Sequence, residues 1–290
     1  MKLNQRVVDK IIKEALREDL GEKGDLTTQA IFSKPIRAEA EIISKSSGVV
    51  CGLAVAEKVF KILDSKVTVT FSVNEGSEIE EDQIIAKVKG PLQAILGAER
   101  TALNFMQHLS GISTLTRKFI NEVKSYPVQI FDTRKTTPGL KMLEKYAVKV
   151  GGGFNHRFGL FDAVLIKDNH VRAAGGIETA IREARSSFAS GITIEVEAEN
   201  LEEVAEALEA EADIILLDNM ELETLKKAVK LVDTRAVTEA SGGITLENVA
   251  DVARTGVDRI SVGALTQAAL PLDITLEIIS VQRASEILKP

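Results

Sequence analysis

The octapeptide Asp132-Thr133-Arg134-Lys135-Thr136-Thr137-Pro138-Gly139 follows the run Val128-Gln129-Ile130-Phe131, which reads as a short buried strand. Two adjacent cations and several hydroxyls at a strand end form an anion-binding set. Arginine offers a planar fork suited to carboxylate or phosphate, and lysine a point charge. The same grammar recurs along the chain, where short apolar runs end in a polar residue and lead into a helical stretch. The ends collect Arg134, Lys135, Lys167, Glu195, Glu197, Asp218, Glu239, Ser241 and Gly263, and a loop adds Asn155, His156 and Arg157. Taken singly, each is best read as a solvated charge at a strand terminus. Six strand ends in register are different, because chance would scatter charges over both ends. Four cations and several carboxylates are therefore expected at one mouth.

Two glycine stretches point to a phosphorylated ligand. Ser241-Gly242-Gly243-Ile244 is expected to lead into a helix, and Ser261-Val262-Gly263-Ala264 follows the last strand. Glycine amides and helix N-termini after the last strands of a barrel are a recurrent phosphate site. Glu197 and Asp218, on neighbouring strands, suit Mg2+ held partly through water and ligand oxygens, or the hydroxyls of a ribose. They would also neutralise the cations when no ligand is bound.

Lys167, in Val-Leu-Ile-Lys-Asp-Asn-His, is ambiguous, because a lysine at a strand end can form a Schiff base. Its expected neighbours are polar, whereas such a lysine needs an apolar pocket. His156 and His170 can titrate near neutral pH, but three histidines without ligand spacing give no zinc site.

The elements that must position these groups are strands at 128–134, 163–169, 192–197, 214–218, 236–241 and 259–263, with 149–154 as a further short one. Helical stretches at 201–210, 221–232 and 245–255 alternate with them, which means parallel strands joined by right-handed crossovers. Polar groups gathered at the C-terminal strand ends favour a barrel over an open doubly wound sheet. The first third differs. Residues 38–52, 67–73 and 75–90 alternate as antiparallel strands behind an amphipathic helix carrying Val7, Val8, Ile11, Ile12 and Leu16. From Leu92 the pattern turns helical, and Ser110-Gly111 is expected to break it in two. The domains are thus 1–110 and 111–290, with a final helix packing back on the first.

Composition limits the function. A formal net charge of -7 over 290 residues argues against general nucleic-acid binding. The single cysteine, Cys51, cannot form an intramolecular disulfide and reads as a small buried residue of a reducing compartment. There is no signal-peptide pattern and no apolar run of membrane-spanning length, so a soluble cytoplasmic protein is expected.

The stretches ERTALNFMQHLSGIST (99–114), DTRKTTPGLKMLEKYAVKVGGGFNHRFGLFDAVLIKDNH (132–170), IEVEAEN (194–200), ILLDNM (215–220) and EASGGI (239–244) together closely resemble the quinolinate phosphoribosyltransferase family. The resemblance implies an α/β protein: an incomplete parallel α/β barrel preceded by an α+β sandwich-like domain. It implies a homodimer, or a higher oligomer, in which the first domain of one subunit covers the barrel mouth of the other and Arg100 acts in trans. By match, Thr133, Arg134, Lys135, His156, Arg157 and Lys167 line a cationic pocket. Glu197 and Asp218 match the metal and ribose end. Ser241, Gly242, Gly243 and the Val262-Gly263-Ala264 turn match the phosphate loop. Lys135, Lys167, Glu197 and Asp218 would surround the reacting centre, with Mg2+ as cofactor. The implied reaction joins quinolinate to 5-phosphoribosyl-1-pyrophosphate, giving nicotinate mononucleotide, pyrophosphate and CO2. The rivals are a related transferase acting on another aromatic acid, a molybdenum-related relative, a Schiff-base lyase using Lys167, and a non-catalytic binding protein.

Overall fold

The structure, a computed structural model, describes residues 3–188 and 191–283. These fall into two compact units. The first draws on residues up to Leu115, on Thr137–Gly151 and on the segment from Ala269; the second is Thr116–Thr136 with Gly152–Ala268. Neither unit is one continuous stretch.

The first unit opens with α1 (Gln5–Leu20), whose helical period places Val8, Ile12 and Leu16 on one buried face. Burying each stabilises the unit by about 1.5–3 kcal/mol. The Asn4 side chain accepts the Arg6 N–H at 3.1 Å to start the helix, and Gly21 ends it at a φ of 53°. Helices α2 (Leu26–Ile31) and α3 (Leu53–Leu63) follow, and α1 packs on α3. The strands are β1 (Ile36–Ser44), β2 (Gly48–Val49), β3 (Thr68–Phe71), β4 (Glu78–Ile79) and β5 (Ile84–Pro91). In β1, Ile36, Ala38, Ala40, Ile42 and Ser44 are buried and the residues between them are not, as a strand with one covered face requires.

Helix α4 (Leu92–Val123) is continuous through Ser110-Gly111, contrary to the expected break. Those two residues are small because neighbouring backbone comes close. Ser110 Oγ accepts the Cys51 N–H at 2.9 Å, and a β-carbon on Gly111 would lie 2.1 Å from Leu270 O. Helix α5 (Lys141–Gly151) takes up the start of the strand expected at 149–154; of that stretch Phe154 alone forms a bridge, parallel to Phe131.

The second unit is a parallel sheet of β6 (Gln129–Phe131), β7 (Val164–Ile166), β8 (Ile194–Ala198), β9 (Ile214–Asp218), β10 (Val237–Ser241) and β11 (Arg259–Ser261). Its helices are α6 (Asp168–Ala174), α7 (Ile177–Ser187), α8 (Leu201–Glu209), α9 (Leu222–Val232), α10 (Val249–Arg254) and α11 (Ala264–Gln267). The order is β6-β11-β10-β9-β8-β7. From β7 to β11 the order is sequential, and β6 sits beside β11. That is a barrel order opened between β6 and β7. A doubly wound sheet would reverse at a switch point. The first four residues of β9 are all buried, as expected of a strand covered on both faces.

The last described element is a strand, β12 (Ile274–Arg283), where a helix was expected. Its β-branched residues, Ile274, Thr275, Ile278, Ile279 and Val281, favour the extended form. It pairs antiparallel with β1 in the sheet β12-β1-β5-β3, and residues 284–290 lie outside the described chain. Among the described residues no helix is long and apolar enough to cross a membrane.

Candidate active site

Alternation along the barrel strands decides which side chains meet. Residues two apart share a face, so Leu165 and Lys167, Glu195 and Glu197, Leu216 and Asp218, Glu239 and Ser241, and Ser261 and Gly263 form inward-facing pairs. The second of each pair lies at the C-terminal strand end. Those second residues line a cavity of about 680 Å3, together with Thr133, Arg134, Lys135, His156, Arg157, Gly242, Gly243 and Ala264. The expected convergence on one mouth is therefore present within the second unit.

Two expected members lie deeper. Glu195 and Glu239 are buried, at 4% and 0% exposure, and neither lines the cavity. They meet His156 instead, whose Nε2 is 3.0 Å from Glu195 Oε2 and 3.5 Å from Glu239 Oε1. Arg259 stands 3.9 Å from Glu239 and over the Phe131 ring. Burial, and then the charge of Glu195, push the Glu239 carboxyl up to about 7, partly offset by His156, Ser261 and Arg259.

The cations are short of counter-charge. Lys167 Nζ is 3.1 Å from Glu197 Oε1. Among the described residues, Arg134, Lys135 and Arg157 have no carboxylate within ion-pair distance. Burial, and then the neighbouring Arg134 cation, hold the Arg157 guanidinium below its ordinary value. Arg157 Nη1 donates to Ala163 O at 3.2 Å, while its buried Nε has no hydrogen-bond partner. Two repelling guanidiniums and a lysine facing one cavity make a site that an anion would stabilise.

The loop behind these cations is tied down. Asp132 is fully buried and accepts the His156 N–H at 2.8 Å and Asn155 Nδ2 at 2.7 Å. Lys135 N donates to Thr133 Oγ1 at 3.0 Å, and Thr266 Oγ1 donates to Lys135 O at 2.7 Å. Gly263 gives Lys135 room, since a β-carbon there would lie 3.1 Å from Lys135 Cδ. His170 caps α6 by accepting the Lys167 N–H at Nδ1, 2.9 Å away, and so serves structure.

Ser241, Gly242 and Gly243 line the cavity, but α10 begins only at Val249, so the glycines do not open a helix directly. Both have positive φ, 92° and 60°. Two residues that sequence reasoning did not single out shape this turn. Asn219, itself at a φ of 51°, donates its N–H to Ser241 O at 2.9 Å and its Nδ2 to Asp218 Oδ2 at 2.7 Å. Asn248 accepts the Thr245 N–H and donates to Gly243 O, each at 2.9 Å. The available signal was an Asn straight after a strand, since Asn tolerates the left-handed region.

Val262, expected in the phosphate turn, is not at the cavity. It is 1% exposed, and its N–H donates to Phe131 O at 2.9 Å, tying β11 to β6. Arg100 belongs to the first unit, on α4, with a side chain 70% exposed and 3.7 Å from Glu99. Cys51 is buried as expected, and burial, then Glu75, push its thiol well up.

The donors that fit a hard divalent cation are Glu197 and Asp218. Both are carboxylates on adjacent strands lining the cavity, a donor type that could hold Mg2+ together with water.

The comparisons with known proteins agree with one another. Residues 25–110 match the family model "Quinolinate phosphoribosyl transferase, N-terminal domain", and residues 112–277 match its C-terminal domain. The chain is 44% identical over 276 residues to a probable nicotinate-nucleotide pyrophosphorylase (carboxylating) of Bacillus subtilis strain 168, covering 95% of each. It is 41% identical to quinolinate phosphoribosyltransferase (decarboxylating) 2b, mitochondrial, of Nicotiana tabacum, covering 92% of this chain and 81% of that one. A solved nicotinate-nucleotide pyrophosphorylase from Francisella tularensis superposes with a TM-score of 0.92 at 40% identity, covering 96% of this chain and 98% of that one.

Proposed function

Because the chain belongs to the quinolinate phosphoribosyl transferase family, we propose that it joins quinolinate to 5-phosphoribosyl-1-pyrophosphate, yielding nicotinate mononucleotide, pyrophosphate and CO2 for NAD biosynthesis. The observation that carries the reading is the excess of cation at the strand ends. Arg134, Lys135 and Arg157 face one cavity without an ion-pair partner among the described residues, beside Lys167. A dicarboxylate and a polyphosphate sugar supply the missing charge. Nicotinate, with one carboxylate, needs fewer cations.

We assign the quinolinate carboxylates to Arg134, Lys135, Arg157 and Lys167, with Thr133 and His156 completing the wall. Ser241, Gly242, Gly243, Gly263 and Ala264 take the 5-phosphate, and Glu197 and Asp218 the ribose end. The pyridine nitrogen attacks the anomeric carbon, and the C–O bond to pyrophosphate breaks with its electron pair leaving on oxygen. The resulting pyridinium then accepts the electron pair of the adjacent carbon–carboxylate bond. CO2 departs, and that ring carbon takes a proton from water. No general base is required, because an aromatic nitrogen is the nucleophile. Cations fixed at strand ends are already oriented before charge develops, and alignment of the two substrates does most of the rest. Glu197 and Asp218 would hold Mg2+ together with substrate oxygens; bound there it would supply positive charge to the leaving pyrophosphate. The lyase rival is disfavoured, because Lys167 is ion-paired with Glu197 and flanked by polar groups.

The test is a paired assay with Mg2+ and phosphoribosyl pyrophosphate, with quinolinate in one tube and nicotinate in the other. Mononucleotide and CO2 from quinolinate alone is the expected result. Turnover of nicotinate alone would overturn the dicarboxylate assignment.

We further propose a homodimer to which Arg100 contributes in trans. Its exposed guanidinium is the supporting observation. Subunit exchange between Arg100→Ala and Lys135→Ala proteins should restore about a quarter of parental activity, from the one intact site of each mixed dimer. No recovery after proven exchange removes the shared site.

A further inference from the structure

Asn219 stands between the two groups of residues assigned to the sugar donor and holds both. Its N–H donates to Ser241 O at 2.9 Å, which fixes it to the phosphate turn. Its Nδ2 donates to Asp218 Oδ2 at 2.7 Å. Its Oδ1 faces Gly242, where a β-carbon would lie 2.1 Å away. Among the described residues no other hydrogen bond reaches the Asp218 carboxylate. Asp218 is the last residue of β9 and pairs in register with Ser241, the last of β10. The sheet restrains the main chain of Asp218 and leaves its side-chain torsions to be set by the amide of Asn219. The residue type at 219 answers two demands. The main chain there is left-handed, at a φ of 51°, which glycine, asparagine and aspartate adopt most readily. The contact with Asp218 needs a donor, which glycine lacks and an ionised aspartate cannot supply. Asparagine meets both.

We propose that Asn219 is a positioning residue: it orients the Asp218 carboxylate and ties it to the phosphate turn, so that the ribose hydroxyls and the 5-phosphate of the sugar donor meet groups held at one fixed spacing. Asn219 acts through Asp218. With Oδ2 engaged by the amide, Oδ1 is turned to the ligand. A carboxylate held ready in this way loses little freedom when the ribose binds, and that freedom is part of what binding costs. The close approach of Asn219 to Gly242 keeps the amide from swinging off Asp218 toward the turn.

The inference rests on reading Asp218 as a ligand of the ribose end. A double-mutant cycle on kcat/KM for phosphoribosyl pyrophosphate at saturating quinolinate tests it, using Asn219→Gly, Asp218→Ala and the pair. Glycine keeps the left-handed main chain and removes only the amide. On the parental background it should cost about 10- to 100-fold, as misplacement of a binding group does, while KM for quinolinate changes less than about threefold. On the Asp218→Ala background it should cost little. An equal cost in both backgrounds overturns the proposal, because Asn219 itself lines the cavity and would then meet the sugar directly. Asn219→Asp separates the hydrogen bond from packing, since it keeps the shape and cannot donate. It should be at least as poor as glycine, and an aspartate as active as the parent overturns the proposal. If Asp218→Ala turns over too slowly for rates, the same cycle is read by calorimetry in the Kd for nicotinate mononucleotide. If the unmodified protein neither binds nor converts these compounds, the substrate reading fails instead. The cycle in urea unfolding then still tests the tie. The two substitutions together should cost less than the sum of their separate costs, and strict additivity overturns the tie.

Discussion

Gly242 and Asn219 are pressed together so closely that a β-carbon on residue 242 would lie 2.1 Å from Asn219 Oδ1 and 2.5 Å from its Cγ. They come from successive strand–helix loops, after β9 and β10, and each has positive φ. Gly242→Ala therefore adds a left-handed alanine, costing about 1–2 kcal/mol, and displaces Asn219 from Asp218. The expected result is a folded protein whose KM for phosphoribosyl pyrophosphate rises at least about tenfold with a smaller change for quinolinate. Equal KM values for both substrates in variant and parent would remove this turn from the phosphate site.

Arg134 and Arg157 share a cavity wall, and the Arg134 cation helps hold the Arg157 guanidinium below its ordinary value. Arg134→Ala relieves that repulsion. Thermal unfolding without ligand should show a Tm equal to or above that of the parent, while kcat/KM for quinolinate falls on the order of 100-fold. A marked drop in Tm would mean that Arg134 is a structural residue.

Much of this site is legible in the sequence because parallel strands buried on both faces leave unbroken apolar runs, such as Ile214–Leu217, that end in a polar residue. The two-residue alternation then puts Glu197 and Glu195 on one face. Depth is not legible: nothing local says that Glu197 reaches the mouth while Glu195 meets His156. Asn219 and Asn248 stayed silent for a related reason. Their work is done on backbone of another loop or several residues away, and only the folded turn shows it. Val262 shows the converse, since a residue inside a phosphate-type turn can point away from the ligand and serve only to tie two strands.

Glu239 makes stability depend on pH in a stated direction. Its folded carboxyl is raised from the ordinary 4.5 to about 7, so between those values the native state holds a proton that the unfolded chain has lost. The contribution is fully present below the unfolded value and is lost as pH rises through the folded one. The groups facing it are Glu195, His156, Ser261 and Arg259. Glu239→Gln removes the titration, so the fall in Tm between pH 5 and pH 8 should be smaller in the variant than in the parent. An identical fall in both would show that Glu239 is not the group responsible.

Gly111 is the position where helix propensity and packing give opposite answers. In the interior of a helix, alanine in place of glycine is favourable by roughly 1 kcal/mol, and Gly111 is interior to α4. Yet a β-carbon there would sit 2.1 Å from Leu270 O and 2.9 Å from Leu270 C, both backbone atoms that no rotamer change can move. The segment carrying Leu270 leads into β12, whose partner β1 is central to the antiparallel sheet, and Leu272 N–H donates to Gln107 O at 2.9 Å on the same helix. Gly111→Ala must push that segment away from the helix, so packing outweighs propensity. Urea unfolding should show a loss of about 1–3 kcal/mol, the range for overpacking. Gly97→Ala is the control: it lies on the same helix, where a β-carbon would meet the flexible Leu63 and Leu20 side chains at 3.2 and 3.9 Å and no backbone, and it should be close to neutral or stabilising. A gain in stability from Gly111→Ala would mean that Leu270 moves freely and that the glycine has no packing reason.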